Sequence, residues 1–427
     1  MVNVDARYND ATRWDRLVGS MTRWHGLLVL LAVGVAGMFL LVYPRAFLGV
    51  DFDVYRGAAA AVLDGDPLYG FTSSLKLPFT YPPIAAVVFG PLAFLPATVA
   101  VAAWTLISVL AMEALIWSLL GPLGVTDPAA RIRWTAVASL VMLPLAPVTF
   151  NLWIGQINLI LLLLVIVDLV GATGRFRGIG VGIAAGIKLT PLIFIPYLLF
   201  TRGRRAAGTA ALTFGATILA SFLLLPRDAV RYWLTELWDF KRVTEIPDDE
   251  VARTLNASIR GVLDRLQIPH AGAVWLVLAA LVGMAGLAVA IRASRRGHEL
   301  AGILACAITG LLVSPVSWIF HWVWCIPLLL LWAVRAWRGN LPAEKVGVVL
   351  VWLAFVASSY WIVLQTLRVP HPDGMATLFG NYLYVLIGAG ALGALAVFPR
   401  RTETRRLSSL DQPGPESGVP GPSVSPP

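Results

Sequence analysis

Two aspartates stand two residues apart in GVDFDVYRG (Gly49–Gly57). A lysine interrupts an apolar stretch at GIKLTP (Gly186–Pro191), and a histidine sits among tryptophans in SPVSWIFHWVW (Ser314–Trp324). Asp51 and Asp53 follow directly on the first apolar run. A carboxylate held at a membrane surface can act as a general base if its geometry and pKa fit; the alternative is a solvated loop acid. A DxD pair also suits a divalent metal, but no nucleotide-binding domain accompanies this one. The five histidines (His25, His270, His298, His321, His371) show no metal-ligand spacing. No metal site and no other cofactor is expected.

Lys188 is one of four lysines. A charge at membrane depth is expensive, and by default it marks function. Its partner is either a lipid phosphate or an acid of the chain, Glu113 or Asp168. His321 is placed to orient an acceptor hydroxyl or to contact phosphate, or it is simply a hydrogen-bonded core histidine; Trp318, Trp322 and Trp324 read as interface anchors. Asn151, Gln156 and Asn158, in the turn NLWIGQIN, offer neutral amides to sugar hydroxyls, with turn capping as the alternative. Tyr55 and Arg56 follow the two acids, and Tyr81 lies in FTYPP; these three, together with Asp53 and Trp318, are candidate substrate contacts.

These residues are carried by a chain of 427 residues, 58% apolar and 13% charged, with a mean hydropathy of +0.76. A soluble domain runs near 45–50% apolar and about 25% charged. The composition excludes a water-soluble globule and predicts an all-α polytopic membrane protein. The net charge of +9 sits in short basic bursts between apolar spans. That is the positive-inside pattern, not a nucleic-acid footprint, and no nucleic-acid partner is expected. Cys306 and Cys325 lie inside apolar spans and form no ligand set.

Basic clusters orient the spans. The N-terminal segment 1–23 and both termini fall inside, and the domain 24–398 crosses about 12 times at about 20 residues per span. Residues 44–80 form a first outer loop, with a helix along the interface from Val54, and 227–271 form a larger one. Residues 81–96, rich in proline, read as a short re-entrant helix. Residues 178–200, basic at both ends, read as two half-helices bent at Lys188, since irregular backbone at membrane depth must line a cavity or be buried in protein. A rival arrangement makes both segments full spans, but puts Arg131, Arg133, Arg175 and Arg177 outside. Residues 132–150 read as one span ending at the NLWIGQIN turn. Residues 399–427, rich in proline, serine and glycine, read as a disordered inner tail. Asn256 opens an NAS sequon, and Asp248–Glu250 reads as a solvated acidic run.

Together, DFDVYR, DGDPLYG, FTYPP, GQIN, GIKLTPLIFIPYLLFTR and SPVSWIFHWVW, in this order over residues 45–330, resemble the actinobacterial polyprenyl-phosphate-mannose-dependent α-(1→2)-mannosyltransferases of glycosyltransferase family 87. The resemblance implies a GT-C-like bundle with outer-face loop helices and an active site on the outer, periplasmic face of the cell membrane. It implies a first-loop aspartate base, which maps onto Asp51, with Asp53 as second choice. Where the family often has two adjacent histidines, this chain has Phe320 and His321. The implied partners are a polyprenyl-phosphate-mannose donor and a mannosylated glycolipid acceptor (phosphatidylinositol mannoside, lipomannan or lipoarabinomannan), both within membrane lipid. An arabinofuranosyltransferase branch and, outside the family, a secondary transporter are the alternatives.

Overall fold

The computed structural model describes residues 28–38, 41, 49–171, 176–239, 255–366 and 382–397, with side chains left out for 360–366. The N-terminal basic segment, Arg175, the acidic run 248–250, His371 and the tail 399–427 lie outside the described residues.

The described residues are helical and contain no strand, only the isolated bridges Thr72–Pro78 and Asn256–Trp318. In chain order the helices are α1 (Leu28–Met38), α2 (Val50–Asp64), α3 (Pro83–Ala93), α4 (Ala97–Leu120), α5 (Pro128–Met142), α6 (Ala146–Ile154), α7 (Asn158–Ile166) and α8 (Ile179–Ile187). They continue with α9 (Phe194–Thr201), α10 (Arg204–Leu224), α11 (Pro226–Leu234), α12 (Ile259–Arg265), α13 (Ala271–Arg295), α14 (Glu299–Val313), α15 (Cys325–Arg338), α16 (Pro342–Thr366) and α17 (Leu383–Ala396). Five segments are long and apolar enough to cross a membrane: α4, α10, α13, Ile319–Arg338 and the Pro342–Ser359 part of α16. A sixth crossing results if the bent pair α5 and α6 counts as one. Shorter apolar helices, among them α3, α14 and α17, complete the bundle.

Two breaks position the site. Residues 132–150 are not one straight span, because α5 and α6 meet at 85°. Pro144 and Pro147 cause it, since neither can donate the helical N–H. Consequently Asn151 lies in α6, and the turn contains only Gly155, Gln156 and Ile157. The second break is at Lys188, which is extended (φ −148°, ψ 127°) after α8. Pro191 removes the N–H that the Ile187 carbonyl would need, so the chain continues as a 3-10 turn, Thr190–Ile193, into α9.

Helix α8 is held close to α10 by small residues. A Cβ at Gly182 would lie 2.7 Å from the Ala210 carbonyl oxygen, and one at Gly186 would strike Thr217. Asp168, in the π-turn after α7, accepts the backbone N–H groups of Gly178 (2.7 Å) and Val181 (2.9 Å), satisfying the free start of α8. Asp168 is thus not the partner of Lys188. Glu113 is not either: its buried carboxyl oxygens meet no partner among the described residues.

The segment after α2 and helix α11 brace each other. Leu68 N donates to Asp228 Oδ1 of α11 (3.0 Å), and Tyr69 stacks on Tyr232 with ring centres 5.5 Å apart. The Tyr69 hydroxyl donates to the Tyr81 carbonyl (2.9 Å) and so fixes the segment that carries Tyr81. Asn256 is buried, donating to the Pro315 carbonyl (3.1 Å) and accepting from Ser317 N (3.0 Å). Its amide therefore shapes the SPVSW turn.

Candidate functional site

Helix α2 begins at Gly49, whose N–H donates to the Trp153 carbonyl (2.8 Å). This anchors the N-terminal turn of α2 against the turn between α6 and α7. Asp51 and Asp53 occupy that first turn, where the helix dipole favours negative charge. Gly155 makes the approach possible. Its φ is +74°, and a Cβ there would lie 2.6 Å from Phe52 Cβ. Gly155→Ala is expected to cost at least about 1 kcal/mol for the left-handed backbone alone and to push Gln156 off Asp51. A lower melting temperature in detergent, together with reduced turnover, is the expected result.

Asp51 accepts a short hydrogen bond from Gln156 Nε2. The amide orientation is set from behind. Gln156 Oε1 is surrounded by donors: the Tyr55 hydroxyl (3.0 Å), the Tyr81 hydroxyl (3.2 Å) and Asn158 Nδ2 (3.2 Å). An oxygen so placed leaves Nε2 facing the carboxylate. The two tyrosine hydroxyls share a further bond of 2.8 Å, and Tyr55 stacks on Phe89 at 4.4 Å. Burial raises the Asp51 carboxyl to about 6; the Gln156 bond and the charge of Lys188 oppose the shift but do not cancel it.

Lys188 Nζ, at the end of α8, donates to Asn158 Oδ1 (2.9 Å), meets His321 Nε2 at 3.0 Å and lies 3.5 Å from the Tyr81 hydroxyl. All three contacts are neutral. An ammonium donates, so His321 Nε2 accepts and the imidazole proton resides on Nδ1, which is buried without a partner among the described residues. The Phe320 carbonyl accepts from both Asn151 (3.0 Å) and Asn158 (3.2 Å), tying α6 and α7 to the Ile319–Trp324 turn. The result is a continuous polar chain, Asp51–Gln156–Asn158–Lys188–His321. It joins a carboxylate able to take a proton to a cation with no counter-ion in direct contact among the described residues.

A narrow cavity of about 60 Å³ leads from Asn158 and His321 into apolar surroundings, including Leu161, Leu162, Val165 and Phe194. Thr190, which carries no signal of its own in the sequence, also lines it.

Four sequence candidates lie outside the polar chain. Asp53 is exposed and accepts from the Ser74 hydroxyl (3.2 Å), and Arg56 donates to the Leu95 carbonyl (3.1 Å). At about 100° per residue these side chains leave α2 about 160° and about 140° round from Asp51, so neither joins the polar chain. Arg56 is thus turned away from Lys188. The half-buried Trp318 pairs its backbone with Asn256 and stacks its ring on Phe320. Asn151 is fully buried and serves the Phe320 carbonyl. The Phe320 carbonyl, the hub of α6 and α7, left no trace in the sequence, because every residue has a carbonyl. Among the described residues no cluster of His, Cys, Asp or Glu could hold a metal ion.

The profile of glycosyltransferase family 87 matches residues 79–315. A Mycobacterium tuberculosis protein described as a polyprenol-phosphate-mannose-dependent alpha-(1-2)-phosphatidylinositol mannoside mannosyltransferase is 33% identical over 92% of this chain and 96% of its own length. Another M. tuberculosis relative, described as acting on phosphatidylinositol pentamannoside, is 34% identical over 91% of each chain. A Mycolicibacterium smegmatis relative of the first type is 31% identical over 91% of this chain and 93% of its own. No solved structure matches the chain.

Proposed function

Because this chain belongs to glycosyltransferase family 87, a family of membrane enzymes, we propose that it moves mannose from polyprenol-phosphate-mannose to a mannose hydroxyl of a phosphatidylinositol mannoside, forming an α-(1→2) link. The observation that carries the reading is the polar chain from Asp51 to His321. An acceptor hydroxyl attacks the anomeric carbon of the β-linked donor, and its proton goes to Asp51. The bond between that carbon and the phosphate oxygen breaks, and polyprenyl phosphate leaves with the electron pair. Configuration inverts. Lys188 meets the developing phosphate charge, and the His321 Nδ1 proton is available to a phosphate or sugar oxygen. The buried cation supports this placement, since its contacts are all neutral and a phosphate would supply the missing anion. The apolar cavity beyond His321 suits the first part of a prenyl chain, which leaves the reacting phosphate at the interface.

Membership in this family leaves the transporter alternative without support. Mannose is preferred to arabinofuranose because the relatives named above use the mannose donor. Relatives of the two acceptor types are nearly equally similar, at 33% and 34% identity. The acceptor stage therefore has to be read from activity. The remaining topology belongs to the same proposal: about 12 crossings, which requires the shorter apolar helices to cross as well, both termini inside, an inner tail from 399, and the site on the outer face. Basic residues at the ends assigned to the inside support it, such as Arg292 and Arg295 ending α13 and Arg335 and Arg338 ending α15.

The purified full-length chain, given radiolabelled polyprenyl-phosphate-mannose and phosphatidylinositol mannosides of graded length, is expected to form lipid-linked product sensitive to α-(1→2)-mannosidase. Absence of labelled product with every acceptor would refute the reading.

A further inference from the structure

The face of α2 that turns away from Asp51 borders a second cleft. Its volume is about 340 Å³, and its lining includes Asp53, Arg56, Ser73, Ser74, Leu75 and Thr98. That falls within the range of ligand sites, about 300–1,000 Å³. The cleft has a carboxylate, a guanidinium and three hydroxyls against an apolar edge. Arg56 is committed to the Leu95 carbonyl through Nη2 only, and its buried Nε has no partner among the described residues. Among the described residues, the Asp53 carboxylate accepts one hydrogen bond, from the Ser74 hydroxyl.

The charges select the ligand. An anion would meet Asp53, and a cation would meet Arg56. A neutral polyol satisfies both, because each hydroxyl can donate to the carboxylate and accept from the guanidinium. We propose that this cleft is a second sugar subsite, which holds a hexose of the acceptor headgroup other than the one that reacts. The inference rests on the mannosyltransferase reading above. It names the acceptor and not the donor because the donor carries one sugar, which must lie with its phosphate beside Lys188. Gly49 and Phe52, at the N-terminal turn of α2, line the cleft and also pack on Gly155 of the reaction site. Only a headgroup with several sugars can reach over that turn.

Contacts to a sugar remote from the reacting bond are the same in the ground state and the transition state, so they act on acceptor KM and leave kcat alone. The test uses the purified full-length enzyme with short and long mannoside acceptors. Leu75 is 53% exposed, so Leu75→Trp narrows the cleft without disturbing the core, and Asp53→Asn keeps the shape while removing the charge. For wild type, the longer headgroup is expected to have the lower KM. Each variant is expected to raise the KM of the longer acceptor about tenfold, to leave donor KM and kcat unchanged, and to abolish the preference for length. An unchanged acceptor KM, or a loss confined to donor KM or kcat, overturns the subsite while leaving the mannosyltransferase reading intact. If wild type transfers no mannose to any mannoside, both fall together. A thermal melt of each variant keeps a folding defect from counting as support.

Discussion

Asp51→Asn is expected to lower mannosyl transfer by about 10²–10⁴-fold, the usual contribution of a positioned general base. Asparagine has almost the same shape, and its carbonyl can still accept from Gln156 Nε2, so expression and melting temperature are expected to stay near wild type. The proton acceptor is what disappears. Wild type offers a second readout. A base works only when deprotonated, and burial holds Asp51 at about 6. Wild-type kcat/KM is therefore expected to be level above that pH and to fall about tenfold per unit below it. Residual activity of the variant is expected to lack this acid limb. Asp53→Asn separates the two acids. Asp53 leaves the far side of α2, exposed beside Ser74, so that variant should keep its kcat and its acid limb. Full turnover in Asp51→Asn, or loss of the acid limb in Asp53→Asn, would reassign the base.

The difference between those two acids shows where sequence reading stops. DFDVYR marks both residues equally, and only the helical phase of α2, pinned by the Gly49 N–H to the Trp153 carbonyl, decides which one meets Gln156. The helical class is plain from composition, and the break at Lys188 is legible because a lysine, a glycine and Pro191 share one apolar stretch. The bend between α5 and α6 escapes a hydropathy reading although Pro144 and Pro147 are in plain view, since hydropathy averages over a proline while the helix cannot. That Asp51 is joined to His321 through Gln156, Asn158 and Lys188 is legible only in the packing. The link depends on α6, α7 and the Ile319–Trp324 turn converging on one carbonyl, that of Phe320, and a carbonyl common to every residue leaves no signature. Arg56 is the reverse case. Its charge suggests a phosphate contact, but its direction around α2 gives it to the other cleft.

Lys188→Met carries the second large expected effect. Methionine keeps the length and removes the charge, so the leaving phosphate would develop its negative charge without a facing ammonium. Loss of one such preorganised donor typically lowers kcat about 10²–10³-fold, and donor KM is expected to rise because the ground-state phosphate is also anionic. The same substitution acts on Asp51. The lysine charge holds the carboxyl below where burial alone would put it. Without it, that pKa rises and the acid limb of kcat/KM is expected to move upward from about 6. Lys188→Arg tells charge from position. It restores a cation, so the limb should return toward its wild-type place. A planar guanidinium cannot reproduce the contacts to Asn158 Oδ1, His321 Nε2 and the Tyr81 hydroxyl made by one ammonium, so kcat should stay depressed. A Lys188→Met enzyme with unchanged donor KM and an unmoved acid limb would mean that the lysine only braces α8 against α7. The charge facing the leaving phosphate would then have to come from elsewhere.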